Sequence, residues 1–204
     1  LLLAVTLDRV WQWRREVGLV VLALITVGYS WVTVNRNQIW HSSETFYAAM
    51  VHDAPNAITG HLNLAILHYQ RGEMDQAQEY VDAAKAIHAD HPRLLNLQAR
   101  MALQRGDPAS AEPLLLRSMQ VRPQLPDAHK LYALALALQG RYPESLAKTQ
   151  VHLRLHPEDE QLRYLMAVNL YKLGRRQEAE VYLDWNPTLS PQEAWAALEA
   201  FGKP

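Results

Sequence analysis

The hydrophobic pattern of the chain changes character once. Residues 17–34, "VGLVVLALITVGYSWVTV", carry no charge at all. From residue 42 onward apolar residues recur at helical spacing, as at Leu62, Leu64, Ala65, Ile66 and Tyr69. That spacing builds one apolar face on each helix. The first segment predicts a long, wholly apolar helix, and the rest predicts a series of amphipathic ones.

As a helix, the uncharged run rises roughly 27 Å, close to the hydrocarbon thickness of a bilayer. Its flanks are polar: Arg14, Arg15 and Glu16 before it, Asn35, Arg36 and Asn37 after it. Trp11 and Trp13 stand at one end and Trp31 and Trp40 at the other, as interfacial aromatic belts do. A transmembrane helix over 17–34 is the expectation, set against a buried core helix or an uncleaved signal sequence. A signal peptide fits poorly, because no small-residue cleavage pattern follows the run. Arg9, Arg14 and Arg15 precede it and only Arg36 follows closely. The positive-inside rule therefore places residues 8–16 in the cytoplasm and the remainder outside it. For an inner-membrane protein that side is the periplasm. The chain starts at Leu1 rather than Met, so it reads as a piece of a longer protein. "LLLAVTL" (1–7) fits the tail of an earlier span, which makes 1–16 the end of that span plus a short cytoplasmic loop.

The amphipathic part is periodic. Gly72, Gly106, Gly140 and Gly174 follow one another at intervals of 34 residues. Alanine stands seven residues before each: Ala65, Ala99, Ala133 and Ala167. A small residue stands five after each: Ala77, Ala111, Ser145 and Ala179. Pro55, Pro123, Pro157 and Pro191 fall at one phase of the same period, with Ala89 in the missing place and Pro92 just beyond. A fixed period of this size implies stacked supersecondary units. The glycine suits the left-handed end of a first helix, the small residues suit close helix crossings, and proline suits the seams. Asp107-Pro108 reads as a helix entry, with a capping Asp and Pro in the first turn.

These residues resemble the tetratricopeptide repeat family, a helix–turn–helix unit, in four units at 58–91, 92–125, 126–159 and 160–191. The family's small, glycine and proline places match, while His61, Leu95, His129 and Arg163 occupy its first-helix tryptophan place. The resemblance implies an all-α, right-handed solenoid, preceded here by the apolar helix. Residues 35–57 read as a connector and a lone helix, "SSETFYAAMVHDAP". Trp185-Asn186-Pro187 cuts the fourth unit short. Residues 190–204 read as a closing helix with Ser190 as cap, Pro191 in its first turn and Glu193 completing a capping box.

Composition narrows the function classes. With 49% hydrophobic residues and a net charge of −1, the chain is neither disordered nor a strongly basic nucleic-acid binder. The absence of cysteine removes thiol nucleophiles, disulfides and Cys-based zinc sites. His152 and His156 are four apart, a spacing that lets two residues of one helix share a metal, but no third ligand falls at matching spacing. No phosphate-binding glycine loop, Gly-x-Ser-x-Gly elbow or His-Glu-x-x-His stands in the chain. No catalytic residue, cofactor or metal is expected.

The resemblance implies binding through a concave face made by first helices. Carried over by position, that groove holds Tyr69, Gln70, Arg93, Asn96, Arg100, Gln104, Lys130, Tyr164 and Lys172. Leu62, Ile66, Asp127, Leu134, Leu138, Gln161 and Val168 complete the same places. Its middle reads as mildly basic. A solvated helix face is the bland alternative; an extended peptide or a glycan is the sharper one. The chaperone-tail carboxylate clamp is missing, because Leu62, Ile66, Leu97, Asp127 and Leu131 stand at its places. The asparagine ladder of sugar-transferase arrays has one rung, Asn63. The junction at Arg36, Asn37 and Trp40 resembles that of bacterial multispan envelope glycan polymerase- or ligase-like proteins with terminal tetratricopeptide domains. The expectation is a membrane-anchored scaffold that docks a protein partner and touches lipid through 17–34. The alternative is an accessory domain of a glycan-transferring membrane enzyme whose catalytic part lies elsewhere.

Overall fold

The computed structural model describes residues 2–37 and 41–183, and every regular element among them is a helix. Residues up to Gly60 form one compact unit and those from His61 onward a second. The first unit is dominated by α1 (Leu2–Asn37). Within its segment Trp13–Val34 an 18-residue stretch has a mean hydropathy of 2.1, and none of that stretch is buried. Thr26 returns its hydroxyl to the Leu22 carbonyl at 2.8 Å, so this polar group is satisfied within the helix. α2 (Ser43–Asp53) begins with a reciprocal cap. Ser42 Oγ accepts from the Thr45 amide at 3.1 Å, and the Ser42 amide donates to Thr45 Oγ1 at 3.2 Å. Two of the orphan amides of the first turn are thereby used.

The second unit is built from most of α3 (Ile58–Gln70) and from α4 (Met74–Ile87), α5 (Pro92–Gln104), α6 (Pro108–Val121), α7 (Pro126–Leu138), α8 (Tyr142–Leu155), α9 (Glu160–Lys172) and α10 (Arg176–Leu183). They form successive helix–turn–helix pairs. The turn explains the period. Gly72, Gly106, Gly140 and Gly174 have φ between 75 and 77°, a left-handed conformation that costs an ordinary residue about 1–2 kcal/mol. Each glycine amide bonds the carbonyl three residues back, as from Gly140 to Ala137 at 3.0 Å. The next amide bonds five residues back, as from Arg141 to Leu136 at 2.9 Å. This double closure uses up carbonyls that would otherwise be stranded at the helix end. It recurs at all four glycines.

The eight small residues that flank those turns, from Ala65 to Ala179, are all 0% exposed. They let the two helices of a pair approach, while Leu62, Leu94, Leu115, Leu136, Leu162 and Leu170 fill the space beside them. Forcing a larger side chain into such a crossing costs about 1–3 kcal/mol. The vacant tryptophan place has another use. His129 Nε2 donates to the Pro123 carbonyl and Arg163 Nε to the Pro157 carbonyl, both at 2.6 Å. These bonds are one period apart and tie each first helix to the proline seam before it. Residues 38–40, including Trp40, lie outside the described residues. So do the break at Trp185-Asn186-Pro187 and the closing helix expected at 190–201.

Candidate functional site

The first helices α3, α5, α7 and α9 together wall a cavity of about 650 Å³. Tyr69 comes from α3, and Arg100, Leu103 and Gln104 come from α5. α7 gives Asp127, Lys130, Leu131, Leu134 and Leu138, and α9 gives Glu160, Gln161, Leu162, Tyr164 and Leu165. The period puts them there. Arg100 and Leu134 stand six residues before their glycines, Gln104 and Leu138 two before, and Lys130 and Tyr164 ten before. Residues in one register point the same way from successive helices, so their side chains line up along one face.

Of the nine predicted groove residues, Tyr69, Arg100, Gln104, Lys130 and Tyr164 line this cavity. Gln70 and Lys172 end α3 and α9 without lining it. Arg93 instead reaches back along the array, its Nη2 donating to Asn63 Oδ1 at 3.4 Å. Asn96 is only 6% exposed, and its Oδ1 is buried with no hydrogen-bond partner. Leu62 and Val168 belong to the core at 1% and 0% exposure. Leu103, Leu131, Glu160, Leu162 and Leu165, which the sequence reading did not put in the groove, complete the wall. Leu103 was legible in principle, since it holds the same register as Tyr69.

The basic middle read from the sequence is compensated. Arg100 Nη2 lies 3.3 Å from Asp127 Oδ2, and Lys130 Nζ lies 3.0 Å from Asp159 Oδ2. The first pair joins α5 to α7, and the second joins α7 to the N-cap of α9. Asp159 is doubly committed, because it also caps α9 by accepting from the Leu162 amide at 3.1 Å. Burial pushes its carboxyl upward, but the Lys130 ammonium and the Leu162 amide outweigh burial and hold it below the ordinary carboxylate value. Burial raises the Tyr164 phenol. Two cations and two anions therefore line the cavity, and the cations already have partners.

The histidine pair is placed differently from its sequence reading. α8 ends at Leu155, and His156 is its C-cap with φ −133°, so the two histidines do not sit together on a helical face. His152 instead packs its ring 4.5 Å from that of His129. Among the described residues no group of three or more His, Asp or Glu side chains is gathered for a metal ion. On second helices and turns, Arg117 meets Asp90 at 2.6 Å, and Arg141 meets both Glu112 at 2.9 Å and Glu144 at 2.7 Å. The Asp90 and Glu112 bridges span neighbouring units and tie them together.

Comparison with known proteins gives two adjoining matches. A family model described as tetratricopeptide repeat matches residues 44–101, and one described as anaphase-promoting complex, cyclosome, subunit 3 matches 104–186. Cellulose synthase operon protein C of Xanthomonas axonopodis pv. citri (strain 306) is 29% identical over 154 residues, 69% of this chain and 10% of its own length. The chain thus spans about a tenth of that relative. PilF of Pseudomonas aeruginosa superposes with a TM-score of 0.61 at 19% identity, covering 87% of this chain and 76% of its own. YrrB, described as a TPR protein with an unusual peptide-binding site, gives 0.60 at 16% identity over 84% and 89%. MamA (AMB-1) gives 0.58 at 20% identity over 73% and 92%. What these structures share with the chain is the fold, a solenoid of paired helices.

Proposed function

We propose that this tetratricopeptide solenoid is a docking scaffold, held at a membrane by residues 17–34, that takes a segment of a protein partner in the cavity walled by α3, α5, α7 and α9. The cavity carries the reading. It joins a leucine wall to exposed amides and fixed charges, and successive units contribute to it in register. The peptide-binding site of YrrB supports a partner of the same kind. The unburied apolar helix supports an anchor, and the arginine asymmetry supports an extracytoplasmic solenoid. Anchoring would raise the effective concentration of the solenoid near partners in the same membrane, so modest groove affinity suffices.

The test is site-specific photo-crosslinking in native membranes. A photoreactive residue at Leu138, in the cavity, should give a discrete protein adduct, and one at Val181, exposed on α10, should not. Equal labelling at both sites would refute groove docking. Alkaline phosphatase fused after Lys203 should be active; an inactive fusion beside an active cytoplasmic reporter would reverse the orientation. A second reading is favoured by the likeness to cellulose synthase operon protein C: an accessory domain of a glycan-handling membrane enzyme. A full-length gene with many upstream apolar spans would favour it over the simple anchored scaffold.

A further inference from the structure

We infer that the occupant of this cavity is a polypeptide segment with apolar anchor side chains and a basic residue facing Glu160, and not an acidic segment; this rests on the docking reading above. The charges of the wall decide it. Arg100 and Lys130, the cations that would greet an acidic peptide, are engaged by Asp127 and Asp159. Asp159 is further fixed by the Leu162 amide, so a carboxylate competing for Lys130 would displace a seated partner. Among the described residues Glu160 is the charged lining group with no ion pair, and it is exposed at the start of α9. An incoming anion meets that carboxylate as a like charge, and an incoming cation meets it as a partner.

The rest of the wall sets the remaining chemistry. Leu103, Leu131, Leu134 and Leu138 present partly exposed apolar carbon, which an aliphatic or aromatic anchor would cover. Gln104 and Gln161 are exposed, and each primary amide can both donate to and accept from a peptide backbone. Apolar wall, neutral amides and one unanswered anion describe a site for a mixed apolar and basic segment.

The probe is a phage-displayed library of random dodecapeptides, selected against the full chain in lipid nanodiscs with empty nanodiscs as the blank. Enriched sequences should combine Leu, Met or aromatic residues with Lys or Arg and be poor in Asp and Glu. For a selected Arg-containing peptide, Glu160→Gln should weaken binding about threefold, as expected for one exposed ion pair. The same peptide with Gln for Arg should bind the native chain and that variant alike. Leu134→Gln, with helicity checked by circular dichroism, should weaken both peptides about tenfold through lost apolar burial. Enrichment of acidic peptides, or an Arg peptide indifferent to Glu160→Gln, overturns this inference and leaves groove docking standing. Enrichment no greater than on empty nanodiscs, or binders untouched by both substitutions, overturns groove docking as well. Glu160 is exposed, so its variant keeps the test decisive even where Leu134→Gln disturbs the fold.

Discussion

Asn169 Nδ2 donates to Ser145 Oγ at 2.8 Å, and that hydroxyl donates in turn to the Ala133 carbonyl at 2.7 Å, with no part of Asn169 or Ser145 exposed. This buried polar chain links α9, α8 and α7. Earlier units put apolar residues at the place of Asn169, with Ala135 and Met101 one and two periods before it. At the place of Ser145 the other units have Ala77, Ala111 and Ala179. Ser145→Ala strands the Asn169 amide in the core, and should cost about 2 kcal/mol. Adding Asn169→Leu removes the stranded group and should recover most of that loss. Urea denaturation of both variants measures the coupling. Additive losses in the double variant would show that the two side chains act independently.

Gly140→Ala should cost about 1–2 kcal/mol, because φ is 76° there and no neighbouring atom lies within 4 Å of an added Cβ. The penalty is therefore conformational and not steric. Gly140→Asn should cost less, since asparagine tolerates the left-handed cap. The order glycine, asparagine, alanine in denaturation midpoint is the expected result. Equal midpoints for Asn and Ala would mean that crowding, not φ, sets the requirement.

These turns were legible in the sequence because the requirement falls on the residue itself. A left-handed φ demands glycine and a close crossing demands alanine, whatever the partner. The groove was legible in part for the same reason: the period fixes which way Tyr69, Arg100, Gln104, Lys130 and Tyr164 point from their helices. Its charge balance was not. The partners of Arg100 and Lys130 lie 27 and 29 residues further on, and pairing them needs the register between units. Asn96 shows the same limit. It shares the register of Lys130 and Tyr164, yet burial depends on what the adjacent unit lays over it, and here it is covered. The seam clamps from His129 and Arg163 replace a residue type that the repeat pattern leads one to expect, so only coordinates disclose them.

Acid should destabilise the solenoid in two stages. Burial lowers the pKa of His152 below its ordinary 6.5, helped by the charges of His129, His156 and Lys148. Burial and His88 do the same for His91. The fold then favours neutral imidazoles, so this contribution is complete above pH 6.5 and is lost as pH falls below it. Glu112 is held below its ordinary 4.5 by its hydrogen bond from Gln139 and by Arg141. Its contribution is present above pH 4.5 and is lost only below that. Melting temperatures across the acid range should fall in both windows. His152→Gln should shallow the first window and Glu112→Gln the second. A variant that leaves its own window unchanged would remove that group from the account.

The apolar segment of α1 gives the last prediction. A helix that holds, within Trp13–Val34, an 18-residue stretch of mean hydropathy 2.1 with no buried residue leaves a large apolar area uncovered. Soluble monomers rarely tolerate such an area in water. Lipid would cover it on all sides at once, which suits a stretch apolar around its whole circumference. A lysine at the centre of a span costs about 3 kcal/mol in membrane insertion, so Leu24→Lys combined with Ile25→Lys should release the chain. In native membranes the unaltered chain should resist alkaline carbonate extraction, and the doubly substituted chain should appear in the soluble fraction. If both chains extract alike, the helix is covered by protein and not by lipid, and the anchor is withdrawn.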